Sequence, residues 1–254
     1  LKITFLGTGT SQGVPIIGCD CDICKSNNPK DKRLRSSVLV SVKNYNFLID
    51  AGPDFRQQML REKISKLDAI ILTHEHKDHI GGLDDIRAYN YIRQKPMDIY
   101  AEKRVTDSLK QHDFAYVVER KDYPGIPQME FRDIDENQFN IGDVDIIPIR
   151  GLHMHLPVLG FRIDAFAYIT DMNYISPTEK EKLKNLDVFV INALRRKKHV
   201  SHFCLDEALE IIAEIKPKRS YLTHISHRLG FYEDLLKTLP ENVFPAYDGL
   251  IIEI

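Results

Sequence analysis

A chain of 254 residues, 43% hydrophobic, with a formal net charge of −2, is long enough for one large α/β domain or two small ones around a full core. The near-neutral balance argues against a general polyanion-binding surface, though not against a local one, and no apolar run is long enough to span a membrane. No Pro/Gly/Ser-rich linker, repeat or low-complexity tract divides the sequence, so residues 1–254 read as one domain. The chain begins with Leu1 rather than Met and enters a strand almost at once, without a secretory pattern; a trimmed N-terminus, an upstream signal left open and a cytoplasmic location are the expectations. Ile3–Leu6, Ser37–Val42 and Asn46–Ile49 read as strands, and Asp54–Glu62 as a helix with an aspartate at its start. Asp68–Leu72 is a buried strand, followed by helical patterns over Leu83–Arg93 and Arg104–His112. Val144–Ile149, Leu159–Ile163 and Phe166–Ile169 return to strands. Pro177–Leu186 reads as a helix with Pro early in its first turn, Val188–Ile191 as a strand and Leu205–Ile215 as a helix. Strands and then strand–helix units occur in two successive halves, which periodicity alone resolves only to α/β with mixed sheets.

The run Thr73-His74-Glu75-His76-Lys77-Asp78-His79 carries the chemistry. It follows a buried strand and leads into a helical stretch from Ile80-Gly81-Gly82-Leu83, so it lies at the C-terminal mouth of a strand, where open α/β sheets place their sites. His74 and His76 face the same way from an extended segment, because side chains alternate with period two. Asp78 and His79 lie past the turn and approach from another side. One strand end can thus supply ligands to two adjacent sites for borderline-soft metal ions.

His-x-His-x-Asp-His resembles the signature of the metallo-β-lactamase fold hydrolases, and the rest of that family's pattern follows along the chain. Phe47-Leu48-Ile49-Asp50 is similar to the first motif, Leu152-His153 to the third, Ile169-Thr170-Asp171 to the fourth and Leu222-Thr223-His224 to the fifth. The resemblance covers nearly the whole chain and implies the family's αβ/βα four-layer sandwich, two mixed sheets with helices on the outer faces. It implies one metal on His74, His76 and His153, a second on Asp78, His79 and His224, and Asp171 as the bridge. His155 competes with His153; the spacing to Pro157–Phe161 in relatives favours His153. Two ions roughly 3.5–4 Å apart can activate a water and neutralise charge on phosphorus, so no protein base is required. The ligand set accepts Zn, Mn or Fe. Asp50 is expected to orient a histidine ligand through its second nitrogen. A His rather than a Glu at position 76 favours hydrolysis over the redox chemistry of diiron relatives.

Phosphodiesterase branches of this fold carry a histidine before a late helix, and His202 matches it, with the role of protonating the leaving oxygen. His199 lies nearby. The basic run Arg195–Lys198 is either a solvated face or an attractor for substrate. Gly7-Thr8-Gly9-Thr10-Ser11-Gln12-Gly13 is not the dinucleotide fingerprint; it reads as a tight loop that offers backbone N–H groups or hydroxyls to substrate, or as turn geometry alone. Arg35 and Arg150 are further candidates for phosphate or ribose contact. In the middle region, Lys95 to Gln138, the residues Tyr116, Tyr123 and Phe131 are candidates for shaping a pocket or a subunit contact.

Cys19, Cys21 and Cys24 form Cys-x-Cys-x-x-Cys, which is metal-ligand spacing. A structural zinc wants four closed positions. The resemblance to the phosphonate-pathway cyclic phosphodiesterase branch supplies His227, three residues past the fifth motif, as the fourth ligand; Cys204 is the alternative. The same cysteine spacing occurs in the pyrroloquinoline quinone branch, which often departs from the His-x-His-x-Asp-His pattern retained here. The tRNA-processing branch usually has a Gly-rich basic arm, and none lies between His79 and His153. The expected function is therefore a dinuclear metal-dependent phosphodiesterase for a small or cyclic phosphodiester, with two Zn or Mn ions at the active site and one structural Zn. The alternatives are an RNA-end ribonuclease and a zinc-stabilised binding protein of a cofactor pathway. No membrane partner is expected, and nucleic acid is the less favoured partner, left open by the ribonuclease alternative. Relatives often form dimers, so a homodimer is one expectation, although no segment encodes it.

Overall fold

The computed structural model describes residues 1–119 and 125–254. The first half builds β1 (Lys2–Gly7), β2 (Ser37–Val42), β3 (Tyr45–Ile49), β4 (Ala69–Ile71), β5 (Met97–Glu102) and β6 (Met129–Ile134). The second half builds β7 (Phe139–Ile141), β8 (Val144–His153), β9 (Leu156–Ile163), β10 (Phe166–Tyr168), β11 (Tyr174–Ile175), β12 (Val188–Asn192), β13 (Arg219–Thr223) and β14 (Val243–Pro245), and β15 (Ile251–Glu253) returns to the first sheet. The first sheet has the order β15-β1-β2-β3-β4-β5-β6 and the second β11-β8-β9-β10-β12-β13-β14, with β7 pairing β8. Each sheet runs through three antiparallel pairings and then three parallel ones. The chain thus repeats one sheet plan twice.

Period-two alternation decides which side chain enters which layer. Phe47, Ile49, Ala69 and Ile71 of the first sheet meet Leu159, Phe161, Val188 and Val190 of the second in a core between the sheets. The alternate residues Leu48 and Ile70 turn outward onto Phe55, Met59, Leu83 and Val105. On the far side, Phe189 and Ile191 turn outward onto Leu205, Ala208, Ile211 and Ile212. Four layers result, αβ/βα, as the sequence motifs imply.

Several elements differ from their sequence limits. The helical pattern of Leu83–Arg93 opens as a 3₁₀ turn, Leu83–Ile86, before the α-helix Arg87–Arg93. Arg104–His112 becomes the helix Lys103–Ser108 and a π turn in which Phe114 N–H donates to Leu109 O at 2.8 Å. The helix at Pro177 stops at Glu181, because the chain must turn to bury Leu183 and Leu186 against the second sheet. β6 is charge-rich, Met-Glu-Phe-Arg-Asp-Ile, and forms the edge of its sheet, where charge discourages further pairing. The structure keeps Phe131 on this strand and Tyr116 beside Asp84, at 2.5 Å; Tyr123 lies outside the described residues.

Phe161 is fully buried between the sheets. Phe161→Ala is expected to lower the free energy of unfolding by about 3–5 kcal/mol, read from urea melts. A loss under about 1 kcal/mol would be incompatible with a ring packed between the two sheets.

Candidate metal centre

All the motif residues converge on the C-terminal ends of strands. Asp50 follows β3, His74 to His79 follow β4, His153 ends β8, Asp171 follows β10 and His224 follows β13. Asp50, Asp171 and His224 each turn the backbone left-handed, with φ of 65°, 54° and 54°. This reverses the chain sharply as it leaves the sheet, and aspartate tolerates that region better than most residues. The loop after β4 is locked to the loop after β3: Ala51 N–H donates to His79 O at 2.7 Å and Gly82 N–H to Ala51 O at 2.8 Å. The approach is close enough to require glycine, since a Cβ on Gly52 would lie 2.0 Å from the carbonyl oxygen of Asp78.

The donor atoms of His74, His76 and His153 lie within 4.8 Å of one another, and so do those of Asp78, His79, Asp171 and His224. His74 Nε2 is 3.0 Å from His76 Nδ1. Asp171 joins the groups. Its Oδ2 is 3.2 Å from His79 Nε2 and 3.0 Å from His224 Nδ1, while its Oδ1 is 3.0 Å from His202 Nε2. His155 sits in an exposed turn outside these clusters.

Behind the donors, Asp50 is fully buried and 2.6 Å from His79 Nδ1. It also accepts from Thr73 N–H at 2.9 Å and from the Thr73 hydroxyl, which lies 2.9 Å from His74 Nδ1. His153 Nδ1 donates to Ser201 O at 2.8 Å. The second nitrogens of His74, His79 and His153 are therefore turned toward the common space. His79 Nε2 is buried and makes no hydrogen bond of its own, even with carboxylates 3.1 and 3.2 Å away. Neutral imidazoles and carboxylates around an orphaned donor atom are a set that divalent Zn or Mn satisfies.

The electrostatics point the same way. Burial opposes a proton on His79, but Asp78, Asp171 and Asp50 outweigh it and hold its pKa well above the usual value. Burial works against ionised Asp171, yet His224 and His79 hold its carboxyl well below the ordinary range. Burial pushes the His74 pKa well down. The carboxyls of Asp78 and Asp171 are thus held toward the charged form, and a cation would compete with a proton for His79 Nε2.

A second cluster lies nearby. The Sγ atoms of Cys19, Cys21 and Cys24 are 3.3, 3.4 and 3.5 Å from His227 Nδ1. The Cys24 backbone N–H holds the Cys21 thiol down at about 6, while burial pushes Cys24 up to about 11. Cys204 lies elsewhere, at the N-cap of Leu205–Ile215. Closely grouped sulfurs with one imidazole fit a closed tetrahedral zinc.

Other sequence candidates are engaged differently. Arg150 forms ion pairs with Glu102 and Glu136, and Arg35 with Asp54 at 3.0 Å, so neither guanidinium is spare. The run Arg195–Lys198 is used partly to shape its own loop: Arg195 donates to Lys197 O and Lys198 O, and Arg196 to Leu229 O. In the first loop, Thr10 Oγ1 lies 3.2 Å from His224 Nε2, so this hydroxyl supports a ring of the centre. Sequence reasoning missed Thr73, Ser36 and Thr170, whose hydroxyl donates to Asp171 Oδ2 at 2.7 Å. A signal for part of this existed, because threonine directly precedes His74, Asp171 and His224. Ser36 Oγ approaches His224 Nδ1 to 3.3 Å across 188 residues, and nothing local announces it.

The four-layer fold and the two adjoining donor clusters at its strand ends define a metallo-β-lactamase-type protein. The model of the Beta-lactamase superfamily domain matches residues 45–225, and the chain belongs to that superfamily. It is 40% identical over 253 residues, 98% of its length, to a protein of Porphyromonas gingivalis named Octanoyltransferase, and spans about half (51%) of that relative. A crystal structure of a diphosphatase from the PhnP family superposes with a TM-score of 0.93 at 39% identity, covering 100% of this chain and 97% of that one. Zinc-bound PqqB from Methylobacterium extorquens shares the fold, with a TM-score of 0.82 at 18% identity over 100% of both chains. Among the described residues no helix is long and apolar enough to cross a membrane.

Gly52→Ala is expected to force apart the loops that carry Asp50 and Asp78. Metal affinity should fall at least about tenfold, as measured by competition with a chromogenic chelator. Unchanged affinity would mean that the two loops do not need this contact.

Proposed function

We propose that residues 1–254 form one metal-dependent hydrolase unit that cleaves a phosphorus–oxygen bond in a small molecule, a cyclic or linear phosphodiester or a diester of diphosphate. The observation that carries this reading is Asp171, one oxygen of which serves His79 and His224 while the other meets His202. The similarity to a PhnP-family diphosphatase supports it and brings the diphosphate linkage into range. His74, His76 and His153 would hold one divalent ion, and Asp78, His79 and His224 a second, with Asp171 between them. Bound there, the pair would supply an acidified water and positive charge for the phosphoryl oxygens. The chain's own residues do the rest. Asp50 fixes the rings of His79 and, through Thr73, His74. His202 is mostly buried and directs Nε2 into the space beside Asp171, while Nδ1 rests 3.0 Å from Ser201 Oγ. In this reaction it delivers a proton to the departing oxygen. Burial lowers the pKa of His202, against the pull of Asp171, so a proton held there is given up more readily while less of the ring carries one near neutral pH. Cys19, Cys21, Cys24 and His227 would hold a structural zinc that ties the N-terminal loop to the segment of His224.

The test begins with metal content, about three divalent ions per chain. Turnover of a nitrophenyl phosphodiester and of a diphosphate diester then follows, with Mn or Zn supplied. Asp78→Ala should lower kcat/KM at least about 100-fold. His202→Ala should cost about 10²–10⁴-fold for an alkyl leaving group and far less for nitrophenolate, which departs without a proton. Metal without turnover of any phosphorus ester would sink the hydrolase reading in favour of a binding protein.

Removal of one ligand at the second cluster is a separate matter. Cys21→Ser should release one ion per chain and lower the melting temperature, while the two-metal centre keeps its ions. Three ions retained in this variant would contradict a zinc on the thiols.

A further inference from the structure

His202 lies in the irregular stretch between β12 and the helix Leu205–Ile215. Backbone bonds tie this stretch near its ends: Leu194 N–H donates to Phe203 O at 3.0 Å, Leu205 N–H to Arg195 O at 2.9 Å and Phe203 N–H to Met172 O at 2.7 Å. Met172 is itself held by the buried amide of Asn192, which accepts from Met172 N–H at 3.0 Å and donates to Met172 O at 2.9 Å. Between those ends Val200 is 70% exposed, and side chains hold the backbone: Arg195 donates to Lys198 O and His153 to Ser201 O.

Asn173 supplies a further tie, beside the bond from His153 Nδ1 to Ser201 O. Its Oδ1 accepts from Met154 N–H at 2.7 Å and its Nδ2 donates to Val200 O at 3.1 Å, while its own N–H donates to Leu152 O at 2.8 Å. Met154 directly follows His153 and is left-handed, with φ of 60°. Val200 stands two residues before His202, and the intervening Ser201 carbonyl accepts from His153. One carboxamide therefore links the turn after His153 to the approach of His202, from a position two residues beyond Asp171. Both ends of the amide are used, one as acceptor and one as donor; a carboxylate only accepts, and a hydroxyl offers both roles from a single atom that does not span the two partners.

We propose that Asn173 is a positioning residue for proton delivery, holding the His202 stretch in register with His153 and Asp171. The proposal rests on the reading of His202 as the proton donor. Asn173→Asp keeps the acceptor for Met154 N–H but sets an oxygen against the Val200 carbonyl, so it breaks one tie with little change in shape. The metal-loaded protein is assayed with an alkyl and a nitrophenyl phosphodiester. Asn173→Asp should lower kcat about tenfold or more for the alkyl ester and less than about threefold for the nitrophenyl ester, with metal content unchanged. In the His202→Ala background it should add nothing, because the group it positions is gone. Amide hydrogen exchange across residues 199–203 should quicken.

Equal losses for both esters, additive losses in the double variant or unaltered exchange would overturn the role of Asn173. If His202→Ala shows leaving-group dependence and Asn173→Asp does not, Asn173 alone is refuted. If His202→Ala shows none, the proton donor itself falls and this proposal with it. Should the aspartate variant fail to fold, Asn173→Ser carries the same comparison.

Discussion

The buried carboxylate of Asp50 is the constraint around which the centre is arranged. It has no contact with water and bonds to the Thr73 backbone, the Thr73 hydroxyl and the His79 ring. A lone buried carboxylate would be costly, and burial does raise its pKa against the pull of His79. Its neighbours compensate for this, and in return are held in place. The strand-end loop acquires a fixed direction, one ring is aimed directly and a second through a hydroxyl. Ser37 Oγ donates to Asp50 O at 2.7 Å, which extends the same anchorage to β2.

The centre is assembled against local preference. Asp50, Asp171 and His224 occupy left-handed backbone, and such residues cost of order 1–3 kcal/mol each unless their surroundings enforce them. The enforcement is visible: parallel strands end beside one another, glycine at position 52 lets the loops approach, and Asn192 grips the residue after Asp171. The repeated sheet plan contributes, because it brings the strand ends of the two halves to the same place. Asp50 and the His74–His79 loop come from the first sheet; His153, Asp171 and His224 come from the second. Neither half contains a complete donor set.

Much of this arrangement could be read from the sequence, for identifiable reasons. Metal-ligating side chains are few in type and stand at the ends of apolar strands, so the His74–His79 run, Asp171 and His224 were visible by pattern. The alternation of Phe47-Leu48-Ile49 and of Val188-Phe189-Val190 gave the strands their two buried faces. β6 was hidden because an edge strand carries charge. The π turn at Leu109–Asp113 was hidden because a 3.6-residue period continues through it. Arg35 and Arg150 looked available as isolated cations, and only folding brings Asp54, Glu102 and Glu136 to them. Ser36 and Asn173 act through single hydrogen bonds between distant segments or turns, which leave no periodic or compositional trace.

The thiol cluster has a consequence for the making of the chain. Cys19, Cys21 and Cys24 face a ring that follows them by 203 to 208 residues. At a synthesis rate of about 5–20 residues per second, that separation amounts to roughly 10–40 s of translation. Throughout that interval three closely spaced sulfurs are outside the ribosome without the histidine beside which they end. They can hold a cation loosely or react with one another, but they cannot complete a four-cornered site. Closure has to wait until β13 and the turn after it have been made. The segment that carries His224 emerges just ahead of that ring, so the N-terminal loop can dock beside the donor clusters only once β13 and the turn after it have been made.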